Sequence, residues 1–259
     1  MTGNRLAGAG GAQKPLGRGR FRLMLLLICA VCGFALFRST LFRLASLDVV
    51  GAERLTVERV REVAGLHPGV PRWERPAARV EALLAQEPWV ASAEARWEWN
   101  RLTVKLQERT PVALIRYHDR FYLSLDSTGI ILEMLDLAEG RGLPVISTDL
   151  ELTRAVRGEQ LTDPGLSDAL TVLSAMSERL RQEISEVKVE PDRSLLLYMA
   201  EGATVRWGTL PDRAQVRNES VQRKVGALEL FWFQEAVRRG KSCQIDLRIE
   251  GPLIASGCE

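Results

Sequence analysis

Only two histidines, His67 and His118, occur among the 259 residues, and neither has a second histidine or a cysteine at metal-ligand spacing. His67 sits in a Pro-Gly turn and His118 in a polar loop beside Asp119 and Arg120, settings that suit solvated loop side chains. No serine or cysteine occupies a glycine-flanked elbow, and the isolated turn glycines Gly51, Gly65, Gly129 and Gly208 form no phosphate cradle. The carboxylates interleave with arginines at strand or helix spacing, the pattern of solvated faces. The sequence therefore predicts no catalytic residue, no cofactor, no metal ligand and no small-molecule substrate.

Cysteine is equally sparse. Four are too few for a disulfide-built scaffold, so an apolar core has to hold the fold. Cys29 and Cys32 have the spacing of a redox pair or half a zinc site, but they lie among Leu, Ile and Ala and read as small apolar filler. Cys243 and Cys258 are close in sequence; a disulfide between them is open, since no spacing rule fixes its geometry.

Acidic residues are absent before Asp48, whereas Arg5, Lys14, Arg18, Arg20 and Arg22 precede the apolar run LMLLLICAVCGFALF at residues 23–37. Arginine can lay its stem along lipid and lift its charge to the interface, so Arg38 does not end the run, and the usable span reaches Leu41, Phe42 and Arg43. Leu23 to Phe42 is 20 residues, and roughly 20 helical residues cross a hydrocarbon core. One crossing is predicted, with the basic N-terminus held in the cytoplasm and the bulk of the chain outside. A cleavable signal peptide competes, with Ala30-Val31-Cys32 as a small-x-small site, but that cut falls mid-run; an uncleaved anchor is the better reading. A lipoprotein is disfavoured because no small residue precedes Cys29 or Cys32. The tail before the span is too poor in large apolar groups to fold and is expected to be disordered. Seven of the 35 basic residues lie at or before Arg43 and all 33 acidic residues lie beyond it, so the outer part carries a net charge near −5. That argues against a nucleic-acid partner.

Beyond the span the pattern changes to short elements. Leu47–Val50 reads as a strand ending at Gly51, and Thr56 can cap a helix carrying Val57, Val60 and Val63 or Ala64 on one face. His67-Pro68-Gly69 breaks it, and a second helix from Pro76 carries Val80, Leu83 and Leu84 until Glu87-Pro88. Ala93, Ala95, Trp97 and Trp99 then alternate with polar residues, as do Leu102, Val104 and Leu106 after Asn100-Arg101; this predicts a hairpin with one buried face. The order β-α-α-β-β spans residues 44–112. After Arg109-Thr110-Pro111, residues 121–125 and 130–134 flank the turn Asp126–Gly129 as another hairpin. Leu166, Leu170, Leu173, Met176, Leu180 and Ile184 predict one helix of about 20 residues. Strands at 186–189, 194–199 and 203–207, a long helix over 212–238 and a last strand over 244–250 complete an α+β domain on an antiparallel sheet.

In this order, the joints resemble those of the FtsQ/DivIB family of bacterial cell-division proteins: Leu47-Asp48-Val49-Val50-Gly51 its first strand, Pro88-Trp89-Val90-Ala91-Ser92-Ala93 its helix-to-strand joint and Leu102–Ala113 its hairpin exit. Leu125–Gly129 resembles its Asp-x-x-Gly turn, Leu143-Pro144-Val145-Ile146 a following connector and Ile245-Asp246-Leu247-Arg248 its final strand. Two positions depart: Trp99 stands where the family usually has proline, and Ile249 where an aromatic often follows. The resemblance implies a cytoplasmic tail (1–22), a transmembrane helix (23–43), a polypeptide-transport-associated (POTRA) domain (44–112), an FtsQ-type β domain (113–254) and a short C-terminal tail (255–259). It implies a non-enzymatic scaffold at the division septum, anchored in the cytoplasmic (inner) membrane as a single-pass type II protein.

The partners so implied are FtsB/DivIC-like and FtsL-like proteins, with other divisome members reached through the span and POTRA domain. The dock so implied is Lys224, Ile245, Leu247, Arg248, Ile249, Pro252, Leu253 and Ile254. The residues themselves support binding: Gln244–Ile249 is a β-prone terminal run suited to a sheet edge, which can accept an incoming strand. Leu228, Leu230, Phe231, Trp232, Phe233 and Val237 crowd the preceding helix beyond what one buried stripe requires, although Leu228, Phe231 and Trp232 are expected to pack inward. The alternative is a POTRA-containing factor for export or assembly of envelope proteins, though the tandem modules and long barrel of such machines are missing here.

Overall fold

Leu23 and the apolar residues after it contain no proline, and α1 runs Arg18–Phe37 through the single Gly33. A computed structural model describes this helix and residues 42–118, 120–136, 142–234, 243–248 and 254–256. The expected tail is corrected at its end: Arg18–Arg22 are helical, because adding residues to an existing helix is far easier than starting one. The residues before Arg18 lie outside the described set. Every described side chain of α1 is exposed. Among the described residues no helix is by itself long and apolar enough to cross a membrane; residues 38–41 of the expected span are not described.

The first module lays down β1 (Ser46–Val50), α2 (Val57–Val63), α3 (Ala77–Leu84), β2 (Val90–Glu98) and β3 (Arg101–Glu108). Gly51 turns the chain at φ 84° directly against the Leu106 carbonyl, a place where no Cβ fits. The Thr56 hydroxyl then caps α2 by accepting the Arg59 amide at 3.2 Å. Strand order is β1-β3-β2, with β1 parallel to β3 and β2 antiparallel to it. Leu102, Val104 and Leu106 are buried against Val60, Ala64, Val80 and Leu84 of the two helices, so the alternation read in the hairpin is the inner face of this sheet. Two details differ. Val57 is exposed, and the hairpin turn is Trp99-Asn100, because Glu98 pairs with Arg101. Trp99 leaves the sheet with φ 53° and its side chain is 70% exposed.

The second domain contains β4 (Ala113–Tyr117), β5 (Phe121–Leu125), β6 (Ile131–Asp136), β7 (Val145–Ser147), α4 (Pro164–Ala175), α5 (Glu178–Gln182), β8 (Ile184–Val189), β9 (Leu195–Met199), β10 (Thr204–Gly208), α6 (Ala214–Trp232), β11 (Gln244–Asp246) and β12 (Ile254–Ser256). They form one nine-stranded sheet in the order β12-β11-β10-β9-β8-β7-β4-β5-β6. The expected antiparallel sheet is mixed: β4 with β7, β7 with β8 and β10 with β11 are parallel. α4 and α6 cover one face, burying Leu166, Leu170 and Leu173 from one helix and Val225, Leu228 and Trp232 from the other against it.

The single long helix expected over 164–184 is two. Its six apolar positions are all buried, but Met176 turns extended at ψ 148° and Ser177 caps a new helix by accepting the Leu180 amide. Ile184 already belongs to β8. Asp168, inside α4 at 1% exposure, receives Arg193 from the β8–β9 turn and has Arg217 of α6 at 3.6 Å, so one carboxylate ties three elements.

Candidate partner-binding edge

At the joint between the two parts, Arg109 donates Nη1 to Asp126 at 2.7 Å, and the same carboxylate accepts the Thr128 and Ile130 amides, each at 2.9 Å, and the Thr128 hydroxyl. Burial alone would push the Asp126 carboxyl up. The hydrogen bonds from Ile130, Thr128 and Arg109 together outweigh it and hold the group below its ordinary value. Between the two parts, Arg157 also lies 3.9 Å from one Glu87 oxygen, the other accepting Arg59 at 2.8 Å, and Pro88 packs on Gly158. The joint is thus a set of directed polar contacts rather than a plain linker.

The far end of the sheet corrects one expectation. β11 is not a terminal edge: it lies between β10, to which it is parallel, and β12, to which it is antiparallel, with Gln244, Ile245 and Asp246 opposite Ser256, Ala255 and Ile254. The last strand in the order is β12, whose three residues are all exposed, Ile254 at 53%. Three residues after Gly251-Pro252 carry too little pattern to be read as a strand from sequence alone.

The expected dock residues fall into distinct settings. Ile245 and Leu247 are core side chains, at 0% and 5% exposure, so only their backbone faces a neighbouring strand. Lys224 donates Nζ to the Trp207 carbonyl at 2.9 Å and lies over the Trp207 ring. Arg248 folds back on Asp246 at 2.6 Å and packs its stem on Gly208. Through those hydrogen bonds it lowers the Asp246 carboxyl to about 2. Ile254 is the expected residue that lies on the exposed edge; Ile249, Pro252 and Leu253 lie outside the described residues. Cys243, buried beside β11, is disulfide-bonded, while Cys29 and Cys32 are free; Cys258 is not among the described residues.

In the crowded helix, Leu228 and Trp232 are fully buried, Phe231 and Phe233 pack partly against the core, and Leu230 is 68% exposed. The surplus read in the sequence therefore shrinks to one leucine among the described residues. Val237 lies outside them. His67 and His118 are exposed, and no group of metal-ligating side chains occurs among the described residues. The strand character of Ala255 and Ser256 was missed by sequence reasoning, and no signal in that tripeptide would have found it.

The profile "Cell division protein FtsQ/DivIB, C-terminal" matches residues 113–248, and "POTRA domain, FtsQ-type" matches residues 42–109. The chain is 30% identical over 251 residues to a protein of Rhodothermus marinus named "Cell division protein FtsQ", covering 91% of this chain and 87% of that one. A protein of the same name from Syntrophotalea carbinolica is 25% identical over 236 residues, covering 89% and 79%. The solved extracytoplasmic domain of the cell-division protein DivIB from Geobacillus stearothermophilus aligns with 50% of this chain and 99% of its own, at 16% identity and a TM-score of 0.32, too distant to carry structural detail. With a family profile over more than half of its length and a full-length relative at 30% identity, this chain belongs to the FtsQ/DivIB family of bacterial cell-division proteins.

Proposed function

We propose that this chain is a non-enzymatic, membrane-anchored scaffold of the divisome that docks an FtsB/DivIC-like partner, with its FtsL-like companion, by strand addition at the β12 end of the sheet. The observation that carries the reading is that end itself: three exposed residues form the last strand described in a nine-stranded sheet. Strand addition draws its affinity from main-chain hydrogen bonds and its specificity from alternating side chains. Ile254 supplies the exposed apolar contact, Lys224 and Arg248 hold β10 and β11 in place behind it, and Ile249, Pro252 and Leu253 complete the dock.

The anchor is Leu23–Phe42, in the cytoplasmic (inner) membrane with the N-terminus inside, leaving a tail before it, the POTRA domain over 44–112, the β domain over 113–254 and a short end after it. The exposure of apolar side chains all around α1, Leu23 at 69% and Leu26 at 70% among them, supports lipid around it. Other divisome members are met through the span and the POTRA domain.

A photo-crosslinking side chain placed at Ile254 of the full chain tests the dock, with Glu94 of the POTRA sheet as control. The expected result is an adduct to the FtsB/DivIC-like protein from Ile254, appearing in constricting cells as the tagged chain gathers at midcell. Adducts from Glu94 but never from Ile254 sink the docking reading. A tagged chain spread evenly over the envelope throughout constriction sinks the divisome reading in favour of an export role.

A further inference from the structure

Six tryptophans occur in the sequence: Trp89, Trp207 and Trp232 are buried, and Trp97 is half-buried with its indole donating to the Arg75 carbonyl at 2.9 Å. The other two, Trp99 at 70% exposure and Trp73 at 40%, lie at one end of the first module. It is the end where the chain arrives from α1. The Arg72 amide donates to the Phe42 carbonyl at 2.9 Å, Leu44 donates to the Val70 carbonyl at 2.8 Å, and Ala45 donates to the Asn100 carbonyl at 2.8 Å. The first residues of the module are thus held between the segment carrying Trp73 and the hairpin tip carrying Trp99.

Four residues separate Phe37, the last of α1, from Phe42. Five peptide steps reach at most about 18 Å when fully extended. The tip therefore stays close to wherever α1 ends. Trp99 also stands at the first position of a two-residue hairpin loop with φ 53°, a conformation that such loops usually give to glycine or asparagine. A bulky exposed residue in a left-handed conformation is disfavoured by its own backbone and by water alike, and such outliers concentrate at functional contacts.

We infer that this end of the module is a foot on the bilayer: Trp99 and Trp73 lie in the headgroup layer of the membrane that α1 anchors, setting the height and tilt of the outer domains. Tryptophan prefers that layer because its ring is apolar and its indole N–H wants a polar partner. The inference rests on the reading of Leu23–Phe42 as a span, which puts Phe42 at the hydrocarbon boundary and the tip a few residues above it. Charge at the tip is mixed, with Arg43, Arg72 and Arg101 set against Glu74, Glu98 and Asp48, the last 3.5 Å from Arg101. Burial of the rings, rather than attraction to anionic lipid, carries the contact.

The test uses the full chain in nanodiscs of zwitterionic phosphatidylcholine, with and without bromine on the acyl carbons nearest the headgroup, which quenches nearby indoles. Wild-type emission should fall in brominated discs at low and high salt alike. The double variant W73F/W99F should lose most of that quenching, and each single variant about half of it. Trp99→Asn should raise the thermal midpoint of the module while lowering quenching, a pair of effects that a purely structural role for the ring does not produce. Unchanged quenching in the double variant, in a chain that resists alkaline carbonate extraction, overturns the foot and leaves the span standing. Release of the wild-type chain by carbonate removes the span and the foot with it.

Discussion

Replacing Asp126 is the sharpest available perturbation of how the two outer parts are joined. Its side chain is 5% exposed and accepts four hydrogen bonds, from the Arg109 guanidinium at 2.7 Å, the Thr128 hydroxyl at 2.8 Å, and the Thr128 and Ile130 amides at 2.9 Å each. Asp126→Ala removes the acceptor from all four and leaves Arg109, itself only 20% exposed, without its ion-pair partner. Breaking a buried pair from one side costs about 3–5 kcal/mol. The turn amides lie near the surface and can recover water, so the lower end, about 3 kcal/mol, is expected. Asp126→Asn keeps an oxygen for the two amides but turns an N–H toward Arg109 or forfeits the charge, and about 1.5–3 kcal/mol is expected.

The assay is denaturant unfolding of the detergent-solubilised chain, followed by tryptophan emission, with hydrogen exchange read at the Thr128 and Ile130 amides. Because the Asp126 carboxyl is held below its ordinary value in the folded chain, its stabilisation is complete above about pH 4, where the unfolded group is also ionised, and is lost as pH falls through the lowered folded value. The gap between wild type and Asp126→Asn should therefore narrow on acidification below about pH 4. An alanine variant within about 1 kcal/mol of wild type, or a gap that widens in acid, refutes the assignment of Asp126 as the organiser of this joint.

Three further expectations follow from single residues. Trp99→Gly should stabilise the first module by about 1 kcal/mol, since the left-handed backbone at φ 53° is then free of Cβ strain; a thermal or denaturant midpoint that falls would show the ring packs on the fold after all. Gly51→Ala should destabilise it by at least about 1–3 kcal/mol in the same denaturant titration, because the new Cβ meets the Leu106 carbonyl at a φ that L residues avoid. Asp168→Asn should cost about 3 kcal/mol and accelerate exchange of amides in α4, the β8–β9 turn and the start of α6 together, since Arg193 and Arg217 converge on that one carboxylate; exchange confined to α4 would argue against a three-way tie.

Where a segment has one wet face and one dry face, its period in the sequence identified it. The β2–β3 alternation is of this kind, while the cap at Thr56 and the Asp126–Gly129 turn were legible from residue chemistry at single positions. β4 was invisible because Ala113, Leu114 and Ile115 are buried on both faces, so no alternation marks it. β7 and β12, at three residues each, are shorter than any reliable period. The merged helix over 164–184 is subtler: the same apolar spacing runs through α4, the extended Met176 and α5 because all three lie against one core, and only the Ser177 cap marks the break. The joint's ion pairs and the return of β12 are long-range facts that local patterning does not carry.

Exposed strand edges invite unwanted pairing, and proteins usually blunt them. This chain treats its edges unequally. Along β2, the amide of Ala95 is taken by the Glu81 side chain at 2.8 Å. At the β6 end of the large sheet, residues 157–159 lie across the strand: Gly158 donates to the Ile131 carbonyl, Ile131 donates to the Glu159 carbonyl, and Arg157 reaches the Leu132 carbonyl. At the opposite end the last strand described is β12, three residues long and exposed at each of them. Its shortness limits self-association between copies of the chain, since three residues give a like strand little to grip, while a partner that brings its own apolar side chains to Ile254 gains the extra contacts that a bare edge lacks.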